Sequence, residues 1–414
     1  MKSSIALAER LFEELRSNTT DEPGITRAAY GEGEEFAHAL VRRAAGDLDL
    51  SERVDAAGNL YLTMEGAEPE LPGWIVGSHI DSVPHGGNYD GAAGVLAGLS
   101  VVHALRAKGR RLKRNLTVVV IRAEESTWFP VSYLGSRAAF GILPAEALET
   151  QRADTGLTLR EHMAALGFDP EAVARGIGHL DPARIHGFIE VHIEQGPVLE
   201  REDAPIGLVT SIAGSFRYRK ARCLGSYGHS GAVPRSYRQD AVVAFADFVA
   251  AMERVWDGLE RDSERATITF GEVGTDPAQH AFSKVPGEVG FCLDVRSESS
   301  LCLERIHAEL TQQSAIIEQR RGVRFEWGEK TGSTPAILDA HLRRDLAKAA
   351  AKEGVRAIEM PSGAGHDTSV FANRGVPSAL IFVRNQNGSH NPHEDMRMED
   401  FARAVMVILR CVED

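Results

Sequence analysis

A chain of 414 residues is longer than one hydrophobic core usually supports, so two domains are expected. Its 43% hydrophobic and 25% charged residues exclude a disordered, collagen-like or disulfide-scaffold protein. A formal charge of −13, with no Lys/Arg run interleaved with aromatics, argues against a nucleic-acid partner.

The first segment, MKSSIALAERLFEELRSN, breaks its apolar stretch with Glu and Arg, so it reads as an amphipathic helix and not as a signal peptide. No later window reaches 18 uncharged apolar residues, which argues against a membrane partner. Cys223, Cys292, Cys302 and Cys411 lack CxxC spacing, so neither a disulfide framework nor a thiolate zinc site is expected, and the cytoplasm is the default compartment.

From about residue 52, short β-type runs alternate with helical stretches, the pattern of an α/β layer architecture. The strand Trp74–Val76 leads into GSHID, Asn115–Ile121 into RAEES, and Gly187–Ile193 into EQG. Open α/β sheets bind ligands at the carboxyl ends of their strands, so three ends bearing His and Glu suggest one shared site. Residues 213–330 read as strand (216–224), helix (240–260), strand (266–273), strand (287–295), helix (300–321) and strand (323–327). That β-α-β-β-α-β order is the ferredoxin-like split unit, inserted into an α/β domain made of 1–212 and 331–414. Beyond it come a helix (340–352), the GAGHDTSVF turn, a strand (378–383) and a C-terminal helix (398–411).

The segment GSHIDSVPHGGNYDGAAGVLAGL carries the densest chemistry. His79 and Asp81 stand two apart after a strand, so they share a face, and Asp81 suits the role of a carboxylate that orients a ligating imidazole. Asp90 precedes a Gly-rich helix opening. Glu124 and Glu125 follow an apolar strand and point in different directions, so one can bind metal while the other faces the water; a solvated acidic pair is the alternative. Glu190, His192 and Glu194 alternate onto one face of their strand, which on an edge strand could simply be wet. His390 closes the set from the loop NGSHNPHED, with His393 as its rival.

These imidazoles and carboxylates suit Zn, Mn, Co or Ni. Two ions sharing one carboxylate would polarise a substrate oxygen and generate hydroxide at neutral pH, with Glu124 as the candidate general base. No G-x-S-x-G elbow, phosphate loop or dinucleotide fingerprint competes, and Ser226-Tyr-Gly-His-Ser230 lacks a placed acid partner.

Taken in order, the motifs Gly24-Ile-Thr-Arg27, Asp55-Ala-Ala-Gly-Asn59, GSHIDSVPHGGNYDG, the Glu124-Glu125 pair, Leu134-Gly-Ser-Arg137, HIEQGPVLE, GHSGAVP, PGEVGFCLDVR, PSGAGHD and GSHNP resemble the M20-type metallopeptidase fold over nearly the whole chain. Specifically, they resemble its hydantoinase/carbamoylase amidase branch, which holds N-carbamoyl-L-amino-acid hydrolases, β-ureidopropionases and allantoate amidohydrolases. The resemblance implies two divalent ions per subunit, with Asp90 bridging, His79 and His192 on one ion, Glu125 and His390 on the other, and Glu124 as base. It further implies that 213–330 is a lid and homodimerisation domain, whose His229 steadies the oxyanion of a neighbouring active site. Gln195, Arg296 and the backbone near Gly365 would hold the substrate, Arg296 gripping its carboxylate bidentately.

Two positions depart from the family pattern. Where Gly-Ser-Arg-Phe usually follows the Glu pair, this chain has Ser126-Thr-Trp128-Phe129, and where an Asn is usual in the lid it has Ser283. Both are candidate substrate contacts, with core packing the alternative for Trp128. The expected reaction is hydrolysis of the linear C–N bond of an N-carbamoyl-L-amino acid or related ureido compound. The rivals are an aminoacylase or dipeptidase of the same fold and an inactive binding protein.

Overall fold

In the computed structural model, which describes residues 1–413, the principal strands in chain order are β1 (Ser51–Val54), β2 (Leu60–Met64), β3 (Gly73–His79), β4 (Leu116–Ile121), β5 (Ile185–Ile193), β6 (Ile206–Ile212), β7 (Gly214–Leu224), β8 (Ala266–Thr269), β9 (Glu288–Ser297), β10 (Arg324–Glu326) and β11 (Ser378–Val383). The longer helices are α1 (Lys2–Thr19), α2 (Glu32–Asp47), α3 (Ala92–Ala107), α4 (Ala241–Arg261), α5 (Ser300–Arg321), α6 (Ala340–Lys352) and α8 (Met398–Glu413), with the short α7 (Asp367–Asn373) between the last two. The chain folds into two compact units, residues 1–210 with 337 onward, and residues 211–336.

The larger unit is built on a nine-stranded sheet in which seven strands run β6–β11–β5–β3–β4–β2–β1. The central four, β11, β5, β3 and β4, are mutually parallel, whereas β6, β2 and β1 pair antiparallel at the flanks. Parallel strands need both faces covered, and their sequences are accordingly near-continuous apolar runs such as Leu-Thr-Val-Val-Val-Ile in β4. Helix α3 is buried at 13 of its positions and lies in the same core as β3, β4 and β5. Helix α1 buries Ser4, Ala8, Leu11, Phe12, Leu15 and Thr19, the single stripe of an amphipathic helix. Among the described residues no helix is long and apolar enough to cross a membrane.

β5 lies between β3 and β11, so its charged face cannot be a wet edge. Its carboxylates are paired internally instead: Glu190 accepts from the Ser78 hydroxyl (2.6 Å) and the Thr368 N–H (2.9 Å), and Glu194 from the N–H groups of Val198 and Leu199 (both 2.7 Å).

In the smaller unit the strands lie in the order β8–β9–β7–β10, neighbours antiparallel, with α4 and α5 sharing their core. This is the β-α-β-β-α-β arrangement read from the sequence. The strand expected over 266–273 stops at Thr269, and Val273–Thr275 forms a separate strand paired with β9. The two pairings are out of register by one residue, Thr269 opposing Asp294 and Val273 opposing Phe291, so segment 270–272 carries an extra residue; there the Cys292 N–H reaches the Glu272 carbonyl at 3.0 Å.

A buried ion pair braces the exit of β4. Arg122 and Glu34 are both fully buried; the guanidinium meets the Glu34 carboxylate at 2.6 Å and the Gly58 carbonyl at 2.8 Å, while Glu34 also accepts the N–H groups of Tyr30 (2.7 Å) and Ala123 (3.1 Å). Arg122 also meets the half-buried Glu35 at 2.6 Å, so replacing Glu34 by Ala removes one of its two carboxylate partners and the acceptor of two buried N–H groups, and breaking such a buried network costs up to about 3–5 kcal/mol. Chemical denaturation of Glu34→Ala should show a loss of that order; a midpoint unchanged from the parent would contradict the assignment.

Candidate metal centre

Because β3, β4, β5 and β11 are parallel, their carboxyl ends share one edge of the sheet. His79 is the last residue of β3, Glu124 and Glu125 follow β4, His192 is the penultimate residue of β5, and His390 follows β11. Asp90 comes from the loop ahead of α3. The donor atoms form two overlapping sets, His79–Asp90–His192 and Asp90–Glu125–His390, in each of which all atoms lie within 4.8 Å of one another.

Asp90 serves both sets with different oxygens. His79 Nε2 and His192 Nε2 face its Oδ1 at 3.4 and 3.1 Å, whereas His390 Nε2 lies 3.7 Å from Oδ2 and 3.2 Å from Glu125 Oε1. Oδ1 is buried and has no hydrogen-bond partner. An oxygen and two imidazole nitrogens converging without a bridging donor are costly unless a cation lies among them, so this donor set fits a divalent ion.

The imidazoles are held by their other nitrogens. His192 Nδ1 lies 2.9 Å from the Ile193 carbonyl, and His79 Nδ1 lies 3.1 Å from the Asp81 carbonyl and 3.4 Å from its carboxylate. Each contact leaves Nε2 as the donor to the site. The Asp81 carboxylate also accepts the N–H groups of Glu124 (3.1 Å) and Glu125 (3.2 Å), tying the ends of β3 and β4 together. Ala123, between β4 and the glutamates, sits in the left-handed region (φ 51°), and is fixed there by Glu34 below and by the Leu134 N–H on its carbonyl.

Gly91 follows Asp90 with φ 64°, and a Cβ there would lie 2.4 Å from the His79 ring. Only glycine admits the turn and the imidazole together.

Burial opposes protonation of His79 and His192, yet Asp90, with Asp81 at His79, holds both above the usual imidazole range. Burial would raise Asp90, but the two histidines hold it well below the carboxylate range. His390 is pushed up to about 9, chiefly by its contact with Glu125. Glu124 is buried, and desolvation, reinforced by Glu125 and Asp367, raises its proton affinity well above that of an ordinary carboxylate.

His393 is exposed and outside both donor sets, so His390 is the loop histidine that joins them. Gln195 Nε2 donates to Asp90 Oδ2 at 2.9 Å and lies 3.2 Å from His390 Nε2. Trp128 is 6% exposed in an apolar cluster with Phe129 and Leu134, and its indole N–H donates to the Ser82 carbonyl at 2.7 Å. Of its two readings this placement supports packing. Gly365 leaves space for the Tyr133 hydroxyl, 1.7 Å from where a Cβ would stand.

The other three candidates lie in the 211–336 unit. His229 is exposed, and its Nδ1 accepts from the N–H groups of Gly231 (3.1 Å) and Ala232 (3.2 Å), which leaves Nε2 as a donor. Ser283 is exposed, with its carbonyl accepting from Ser230 N–H, and Arg296 lies beside Asp294 at 2.8 Å.

Several residues important to the site escaped the sequence reading. Glu394 accepts the N–H groups of Tyr89 (2.8 Å) and Asp90 (3.1 Å), and the Ser389 hydroxyl lies within 2.8 Å of Glu394 and 2.6 Å of Asp90. Arg27, fully buried, donates to the Ile80 carbonyl at 2.6 Å behind the ligands. His366 packs its ring edge against His192, centroids 4.5 Å apart. The signals were present in GITR, HED and GAGHD, but a buried support has no pattern of its own.

Fold and donor set together define an α/β metallohydrolase. The model of peptidase family M20/M25/M40 matches residues 75–414, and the chain belongs to that family. Similar proteins include an N-carbamoyl-L-amino acid amidohydrolase of Geobacillus stearothermophilus, 33% identical over 411 residues covering 98% of this chain and 97% of the relative. A ureidoglycolate hydrolase of Arabidopsis thaliana is 32% identical over 404 residues, 96% of this chain and 83% of that protein. Among solved structures, a hydantoinase/carbamoylase family amidase from Burkholderia multivorans superposes with TM-score 0.85 at 27% identity, covering 98% of this chain and 97% of that one.

Gly91→Ala should displace His79 and lower divalent-metal occupancy by at least about tenfold, read by elemental analysis of the purified protein after dialysis. Full occupancy in a folded variant would remove Gly91 from this role.

Proposed function

We propose that the protein hydrolyses the linear C–N bond of an N-carbamoyl-L-amino acid or a closely related ureido acid. The observation that carries this reading is the pair of donor sets sharing Asp90, with the buried Glu124 beside the candidate ligand Glu125. The names of the relatives from Geobacillus and Arabidopsis support the substrate class.

In this reading His79, Asp90 and His192 hold one divalent ion and Asp90, Glu125 and His390 the other, with Zn, Mn, Co or Ni as candidates. Such ions supply Lewis acidity at the scissile carbonyl and lower the pKa of water. Glu124 takes the proton from the attacking water and returns it to the departing amino nitrogen, a task suited to a carboxylate whose proton affinity burial has raised. Cleavage between the carbamoyl carbon and that nitrogen releases the amino acid and carbamate, which decomposes to carbon dioxide and ammonia.

Gln195, already hydrogen-bonded to Asp90, orders the ligand carboxylate and faces substrate. Arg296 grips the substrate carboxylate, and Ser283 occupies a lid position that contacts it. Gly365 presents backbone to it, and its lack of a side chain leaves room for Tyr133. His229 acts through Nε2, the nitrogen left free to donate, on the developing oxyanion of a neighbouring active site, which makes 213–330 a lid and the enzyme a homodimer. The compartment we assign is the cytoplasm.

Glu124→Gln should lower kcat by about 10²–10⁴-fold, the usual range for losing a general base, with metal content unchanged. A fully active variant would remove Glu124 as base. A panel of N-carbamoyl-L-amino acids, ureidoglycolate, N-acetyl amino acids and dipeptides, followed by ammonia and amine release, should show turnover of the ureido compounds. Turnover confined to N-acetyl amino acids or dipeptides would sink the substrate assignment in favour of an aminoacylase or dipeptidase, and none at all would favour a binding protein.

A further inference from the structure

The sequence following α3, Arg106-Ala-Lys-Gly-Arg-Arg-Leu-Lys-Arg114, places six cations in nine residues without a carboxylate, in a chain whose net charge is −13. The fold does not scatter this run over the surface. Together with the start of β3, the start of β5 and the end of α8, its second half, Arg110–Arg114, lines a cavity of about 480 Å³. Among the described residues the lining holds five cationic side chains, those of Arg110, Arg111, Lys113, Arg114 and Arg410, against one carboxylate, Glu413.

Most of these charges already have partners. Arg111 meets Glu65 at 3.1 Å and Lys113 meets Glu68 at 3.7 Å, both exposed pairs of the weak surface kind. Arg410 is bound to Glu353 at 2.7 Å, and Glu413 is offset by Lys108 at 3.7 Å. Arg114 donates to the Pro72 carbonyl at 3.0 Å, a neutral acceptor that leaves its charge uncompensated. Arg110 has no carboxylate within ion-pairing distance among the described residues. One wall is aromatic, the His186 ring meeting Trp74 edge-on with centroids 4.5 Å apart.

Like charges gathered in a concavity repel one another, and an anion bound there would relieve that repulsion. Arginine forks match phosphate oxygens in geometry as well as charge, and the volume suits a small metabolite. We infer that this pocket binds a small phosphate-bearing anion, held by Arg110 and Arg114, at a site separate from the metal centre. The separation follows from the strands: Trp74 stands at the amino end of β3 and His79 at its carboxyl end, five residues or roughly 16 Å away. A ligand here would not occupy the substrate's place.

Calorimetric titration of the metal-loaded enzyme with orthophosphate, AMP and adenosine tests this. Saturable one-to-one binding of orthophosphate and AMP is expected, with adenosine silent. AMP binding tighter than orthophosphate would place a base against Trp74 and His186, and equal affinities would make the phosphate group the whole ligand. Arg110→Glu should weaken binding at least tenfold while leaving substrate turnover and melting temperature unchanged, and Arg114→Ala should weaken it independently. In His79→Ala, with the metal centre disabled, binding should persist. The inference is overturned if no saturable binding is seen, if binding survives both arginine variants, or if it vanishes with His79→Ala. None of these outcomes depends on which C–N bond the enzyme cleaves.

Discussion

One buried carboxylate organises the site. Asp90 turns Oδ1 toward His79 and His192 and Oδ2 toward His390, while both its neighbours in the chain are held: Glu394 accepts the Tyr89 N–H as well as that of Asp90, and Gly91 is packed against the His79 ring. Removing a polar oxygen from water without a hydrogen bond costs on the order of 1–3 kcal/mol, so Oδ1 would be a defect in a protein that bound no cation. Much of the surrounding architecture serves to bring partners to this one side chain.

The parallel core of the sheet accomplishes most of that delivery. β3, β4, β5 and β11 end on one edge, so residues separated by hundreds of positions in the chain become neighbours without long loops. What the strands cannot set is the direction of each ligand, and a layer of supports does so. Asp81 joins the exits of β3 and β4, the Glu34–Arg122 pair holds the left-handed turn at Ala123, and Glu394 with Ser389 ties the His390 loop to Asp90.

How much of this the sequence disclosed follows from what kind of residue each position needed. The α3, β4 and β11 segments were legible because an apolar run or a helical stripe is a local signal. The candidate ligands were legible because His and Glu at strand ends have few other reasons to recur. The supports were not: Arg27, Glu34 and Glu394 are buried charges satisfied by partners 53 to 305 residues away, and nothing local distinguishes them from surface charges. Trp128 could be read either as pocket or as core, and burial with its N–H on Ser82 favours core. The split of the strand expected over 266–273 was invisible because the one extra residue between Thr269 and Val273 shows only against the register of β9.

The central claim is that one carboxylate links two ion sites. Electron paramagnetic resonance of the protein reconstituted with two equivalents of Mn(II) tests it directly. A carboxylate-bridged pair gives the spectrum of two exchange-coupled ions, and Asp90→Ala should abolish that coupling. A spectrum of isolated Mn(II) ions in the parent protein, at full occupancy, would contradict the account.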